Sequence, residues 1–192
     1  MAAYQQAMVI DATNGRPHND LGCLYRELEQ WEDAITSFQT AIELNPRYSL
    51  PYRNLGILFL LQGDLDRAEP NFTTALQINP YHCNGILSMG LLQAMRGDLT
   101  AARATWEQGL QLYGEYGQFE RIYRTLYTVA LGQAEPGIAN LRRILKQEKP
   151  PSGLLHRVLE IARLLQRCPE PIDRISQVVV MLESGIQPRS SS

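Results

Sequence analysis

The chain has 192 residues, of which 44% are hydrophobic and 20% charged, with a formal net charge of −2. That apolar content can offset the entropy of ordering the chain, which argues against disorder. The slight acidity argues against a general nucleic-acid or membrane-surface binder, and no stretch approaches 18 consecutive apolar residues, the length needed to span a bilayer.

The first 14 residues, MAAYQQAMVIDATN, have no basic start and no long apolar centre, so they do not read as a secretory leader. Tyr4 and Ala7 stand 34 residues before Phe38 and Ala41. Residues 1–14 are therefore expected to form the second half of a repeat whose first helix is missing, or an N-terminal cap. From Gly15 onward one pattern returns every 34 residues. Leu21-Gly22, Leu55-Gly56 and Met89-Gly90 align, as do Ala34, Ala68 and Ala102, then Phe38, Phe72 and Trp106. Tyr25 aligns with Phe59, and Pro46 with Pro80. A period of this length marks a solenoid or array.

Within each unit the apolar residues recur at helical spacing. Leu21, Tyr25 and Leu28 form one stripe, and Ala34, Phe38, Ala41 and Ile42 form the next. The expected helices are 17–29 and 32–44, 50–62 and 65–78, 83–96 and 99–113. The recurring small residues allow two helices to approach closely, since a glycine inside a helix otherwise costs about 1 kcal/mol. Gly63 and Gly97 are placed to adopt a left-handed conformation past a helix end, and Asp64 and Asp98 to cap the next helix. LEQWEDA lacks such a glycine, so the first turn must close differently. Asn-Pro ends the second helix of the first two units. The third unit has GLQLYGEYG instead, and Gly114 and Gly117 are expected to provide the stop. Two looser pairs follow at 118–131 and 135–148, then 153–167 and 171–184. Gly132 keeps the turn position, with a small register slip.

These residues match the pattern W-x₂-L-G-x₂-Y … A-x₃-F … P, except that His18, Tyr52 and Ile86 stand where Trp is usual. The chain resembles the tetratricopeptide-repeat (TPR) family. The resemblance implies an all-α fold, a right-handed α-solenoid of stacked antiparallel helix pairs. The expected organisation is a half repeat or cap at 1–14 and three units at 15–48, 49–82 and 83–116. A degenerate unit at 117–150, a capping helix pair at 151–185 and a tail at 186–192 complete it.

The resemblance also implies a concave groove lined by the first helix of each pair, where partner peptides lie. Helical spacing puts Arg16, Asn19, Cys23 and Arg26 there from the first unit. The second unit gives Arg53, Asn54, Ile57 and Leu60, and the third Asn84, Leu87, Leu91 and Ala94. The front of this surface is polar and the rear apolar. Two readings of the apolar part stay open: cover by an amphipathic helix or peptide of a partner, or cover by the chain itself. One subset of the family clamps the acidic C-terminal tail of chaperones with Lys, Asn and Arg. Asn54 matches, but Asn19, Cys23, Asn84 and Ser88 stand at the other clamp positions without cations, so that partner is not expected.

Arg121, Arg124, Arg142 and Arg143 form a secondary basic patch. Residues 117–150 carry six cations against three acids, and residues 15–48 three against six. The three cysteines (Cys23, Cys83, Cys168) are widely spaced with no CxxC, and read as free thiols of a reducing, cytoplasmic compartment. No nucleophile–base set, metal motif or phosphate loop is present, so neither a catalytic residue nor a cofactor is expected. The expectation is a non-catalytic scaffold that binds a protein or peptide during assembly of a larger complex. The alternative is a regulatory module of a larger protein, or one that self-associates through its incomplete first repeat.

Overall fold

The computed structural model describes residues 14–81, 83–112, 118–148 and 150–186, and ten helices and no strand occur among them. They are α1 Gly15–Glu27, α2 Trp31–Leu44, α3 Ser49–Gln62, α4 Leu65–Ile78 and α5 Cys83–Met95 in the first half. The second half contains α6 Leu99–Leu112, α7 Gln118–Ala130, α8 Ala134–Gln147, α9 Ser152–Gln166 and α10 Ile175–Ile186. The helices expected from the periodicity are present, with ends displaced by at most four residues. The half repeat or cap expected at 1–14 and the glycine stop at 114 and 117 lie outside the described residues, apart from Asn14. The side chain of Asn14 accepts the Arg16 N–H at 3.0 Å and caps α1.

The chain divides into two compact units, Met1–Met89 and Gly90–Ser192, with the division inside α5. In the first unit α1 packs on α2 and α3 on α4. The glycines show why the pairs form. A Cβ built on Gly22 would lie 2.6 Å from the Phe38 ring, and one on Gly56 would lie 2.4 Å from the Phe72 ring. Each ring is completely buried, so it occupies the space that a glycine side chain would need. Ala34 and Ala68, also completely buried, complete the close approach.

The second unit repeats the arrangement once and then changes it. A Cβ on Gly90 would lie 2.4 Å from the Trp106 indole. Trp106 in turn meets Tyr127 of α7, with ring centroids 5.9 Å apart and planes tilted by 45°, a favourable offset geometry. In the next pair the small residue moves to the second helix. Gly137 of α8 lies against Val129 and the Thr125 carbonyl of α7. Pair α9–α10 is built from aliphatic side chains, with Leu154, Val158, Ala162, Val178 and Leu182 all buried. Helix α10 starts at Ile175, later than the 171 expected. Ile172 already closes a turn onto the Ile175 N–H, and Arg174 at φ 56° is left-handed, so neither can belong to the helix.

The turns within the first four pairs share one hydrogen-bond pattern. Gly63 N–H bonds Leu60 C=O and Asp64 N–H bonds Phe59 C=O, and the same pair of bonds recurs at Gly97 and Gly132. All three glycines are left-handed, at φ 80°, 87° and 86°. The first turn makes the same bonds with Glu29 in the glycine's place, at φ 57°. This is how LEQWEDA closes: a non-glycine residue accepts a conformation that costs an L-residue about 1–2 kcal/mol. Asp64 and Asp98 cap the following helices as expected, accepting the N–H of Arg67 at 3.0 Å and of Ala101 at 2.9 Å. The Arg67 backbone and side chain hold the Asp64 carboxyl below its usual range.

Four residues separate α2 from α3, α4 from α5, and α8 from α9, whereas five separate α6 from α7. The longer joint lacks Asn-Pro, and the four-residue joint before α9 carries Pro150-Pro151 instead.

Candidate functional site

In the first unit the first helices of successive pairs, α1, α3 and α5, each carry a polar residue toward the next. Nδ2 of Asn54 donates to Oδ1 of Asn19 at 2.9 Å and to Sγ of Cys23 at 3.4 Å. Asn19 donates on to the carboxylate of Asp20 at 3.2 Å. On the other side, Arg53 Nη1 donates to Asn54 Oδ1 at 3.4 Å, and Arg53 Nε donates to the Asn84 carbonyl at 3.3 Å. Ser88 Oγ donates to that same carbonyl at 2.7 Å. One hydrogen-bonded seam therefore crosses three helices.

The seam has a buried floor and an accessible edge. Asn19 and Asn54 are buried, and their amides are satisfied by each other and by their neighbours, as burial of such groups requires. Cys23, Arg53 and Asn84 are half-buried, and Arg16 and Asp20 are exposed. Tyr48, half-buried in the joint before α3, belongs to the same edge. Its phenol is pushed above its ordinary value, first by burial, then by the Asp20 charge, with Arg16 acting in the opposite direction and Cys23 in the same direction. Reading only first-helix positions missed Tyr48. The signal was its place directly after Asn45-Pro46-Arg47, where the chain enters the next repeat.

The structure thus brings together Asn19, Cys23, Arg53, Asn54 and Asn84. It places Arg26 differently from the expectation of an accessible polar front: Arg26 is 3% exposed. The apolar rear also receives a correction. Ile57, Leu60, Leu87, Leu91 and Ala94 are all buried at 1% exposure or less by the chain's own atoms. In this conformation they are core and offer a partner no surface. The physical reason is legible in α3, where every residue from Asn54 to Leu60 is buried: about two turns of largely apolar helix are covered on all sides. Of the two readings left open, cover by the chain itself is the one this burial supports.

The basic residues Arg121, Arg124, Arg142 and Arg143 are exposed on α7 and α8 of the second unit. Arg121 and Arg143 both reach Glu148, at 2.9 and 3.6 Å. Among the described residues no group of three His, Cys, Asp or Glu side chains could hold a metal ion, and no helix is long and apolar enough to cross a membrane. Cys168, 9% exposed, has its thiol pushed by burial from its ordinary 9.0 to about 11, which makes it a poor nucleophile at neutral pH.

Residues 22–63 match the family model described as TPR repeat. No curated protein matches the chain. Among solved structures, a thermophilic TPR protein of Thermus thermophilus, TTC0263, is 21% identical, with a TM-score of 0.60 over 82% of this chain and 86% of that one. YrrB, a TPR protein with an unusual peptide-binding site, is 13% identical, with a TM-score of 0.53 over 95% of this chain and 93% of its own. A tetratricopeptide repeat protein from Parabacteroides merdae is 16% identical, with a TM-score of 0.56 over 95% and 76%. Residues 22–63 thus match a tetratricopeptide repeat, and the chain shares the helical-repeat fold of these TPR structures.

Proposed function

We infer that the chain is a non-catalytic interaction module that binds an extended segment of a partner protein along the polar edge of its first unit. In this reading Arg16, Asp20, Cys23, Tyr48 and Arg53 contact the partner, and the Asn19–Asn54 pair fixes the helices that carry them. The observation that carries it is Arg53. Two of its N–H groups are held by Asn54 and Asn84, so the guanidinium is positioned in advance while remaining half-exposed. A positioned arginine loses little freedom when it takes up a carboxylate or carbonyl of a ligand. Burial of Ile57, Leu60, Leu87 and Leu91 favours a polar extended segment over an amphipathic helix as that ligand. The structurally similar YrrB, whose peptide-binding site is described as unusual, adds support for peptide recognition by this architecture. The role that follows is that of an adaptor within a larger assembly.

A displayed library of random peptides selected on the full chain tests this. Recovered peptides are expected to lose about tenfold or more in affinity for Arg53→Ala, an amount ordinary for a charged hydrogen-bonding contact. Peptides that bind Arg53→Ala as well as the wild type would sink the assignment.

A further inference from the structure

A cluster of charged side chains lies on the α7–α8 pair of the second unit, apart from the residues of the polar seam. Its centre is the carboxylate of Glu148, the residue that ends α8. Arg121 reaches it from α7 at 2.9 Å and Arg143 from α8 at 3.6 Å. The Arg121 and Arg143 side chains are each 47% exposed, while the Glu148 side chain is only 17% exposed. The carboxylate is thus seated between two cations that are themselves open to solvent.

The surrounding charge is one-sided. Arg124 lies one helical turn from Arg121, Lys146 lies one turn from both Arg142 and Arg143 on α8, and all are exposed. Against these five cations the described side chains of the pair and its end supply two carboxylates, Glu135 and Glu148. Glu135 is directed to Arg174. Among the described side chains, Glu148 is therefore the carboxylate that the arginines of this surface hold.

We propose that this surface binds an acidic protein segment, and that Glu148 is an internal stand-in for one of the segment's carboxylates. Planar guanidiniums match carboxylates in geometry, and Arg121 and Arg143 already hold one. Among the described side chains of α7, Tyr123 and Tyr127 are buried and offer no base-stacking platform. That favours a polypeptide over a nucleic acid. Binding exchanges the internal carboxylate for an external one and adds contacts to Arg124, Arg142 and Lys146. Without a partner, Glu148 lowers the patch's charge and keeps weak anions from occupying it.

The test is fluorescence anisotropy with the full chain and a labelled peptide of Glu and Ser residues at low and high salt. Wild type is expected to bind at low salt and to release the peptide as salt screens the contacts. The pair Arg124→Glu and Arg142→Glu should lose about tenfold or more, and Glu148→Gln should tighten binding several-fold, because it frees both guanidiniums. If the charge-reversed pair fails to melt cooperatively, Arg124→Gln with Arg142→Gln replaces it with the same expected loss. Absence of peptide binding at low salt, or equal binding by the variants, overturns the site. Affinity unchanged or lowered in Glu148→Gln overturns the stand-in role. Tighter binding of a single-stranded oligonucleotide of equal charge overturns the choice of ligand.

Discussion

The pairs α1–α2, α3–α4 and α5–α6 are each joined by an aromatic ring seated on a glycine, 16 residues apart in every case: Gly22 with Phe38, Gly56 with Phe72, Gly90 with Trp106. Pair α7–α8 reaches the same antiparallel arrangement differently. There Thr125, 4% exposed, faces the partner helix, and the glycine has crossed to α8 as Gly137. Pair α9–α10 uses aliphatic burial throughout. The difference separates two ways of specifying one supersecondary unit. A ring on a glycine tolerates few alternatives, because a single methyl group collides with it. Aliphatic packing tolerates many volume-conserving changes. The front therefore carries a sharp family pattern, and the rear carries only the hydrophobic period.

The comparison can be broken most severely at the buried faces that each region has. Leu87 in α5 and Ile122 in α7 are both completely buried. Changing either to Asp should cost about 4 kcal/mol or more by burying an unpaired carboxylate. Loss of the cooperative melt in circular dichroism is the expected result, and a near-wild-type melt at either position would show that face to be open. The next largest effect distinguishes the two modes of packing. Gly56→Ala should destabilise by about 2 kcal/mol, and adding Phe72→Leu should recover part of that loss. Thr125→Ala, where a side chain already fits, should cost only about 1 kcal/mol. Denaturant titrations giving equal losses would erase the distinction.

The turns sharpen it further. Glu29→Gly should stabilise the chain by about 1 kcal/mol, and Gly63→Ala should destabilise it by a similar amount. Matching signs in the two titrations would mean the first turn is not closed as the others are. The smallest effect concerns the rear. Because the folded thiol of Cys168 sits near 11 against an ordinary 9.0, its contribution is fully present below pH 9 and fades as pH rises toward 11. Cys168→Ala should therefore lose less stability than wild type across that window, read as melting temperature against pH.

Much of this architecture was legible because each feature has a local cause. Gly63, Gly97, Asp64 and Asp98 act through their own backbone or nearest N–H, so their positions predicted the turns. The substitute at Glu29 was foreseeable only as a gap, since no propensity favours Glu in a left-handed turn. The site was harder to read. Helical spacing put Asn19, Asn54 and Asn84 on related faces, and the seam joins them. It placed Ile57, Leu60, Leu87 and Leu91 on the same faces, yet could not say whether solvent or protein lies beyond, because burial depends on residues distant in the chain. Tyr48 escaped because a joint has no period from which to infer direction.

The five-residue joint between α6 and α7 has a consequence for how the repeats are counted. A ruler of 34 residues stays in step through Leu112 and then reads one position early. Advanced by one, it pairs Leu87 with Ile122, Leu91 with Leu126, Gly97 with Gly132, Ala102 with Gly137 and Trp106 with Leu141, and every residue in these pairs except the two turn glycines is buried. Part of the fourth repeat's apparent decay is thus a loss of phase. An added residue inside a helix would have rotated all that follows by about 100° and turned the core outward. Placed in a joint, it left each inward face inward. The joints are where this chain can change length without changing what it buries.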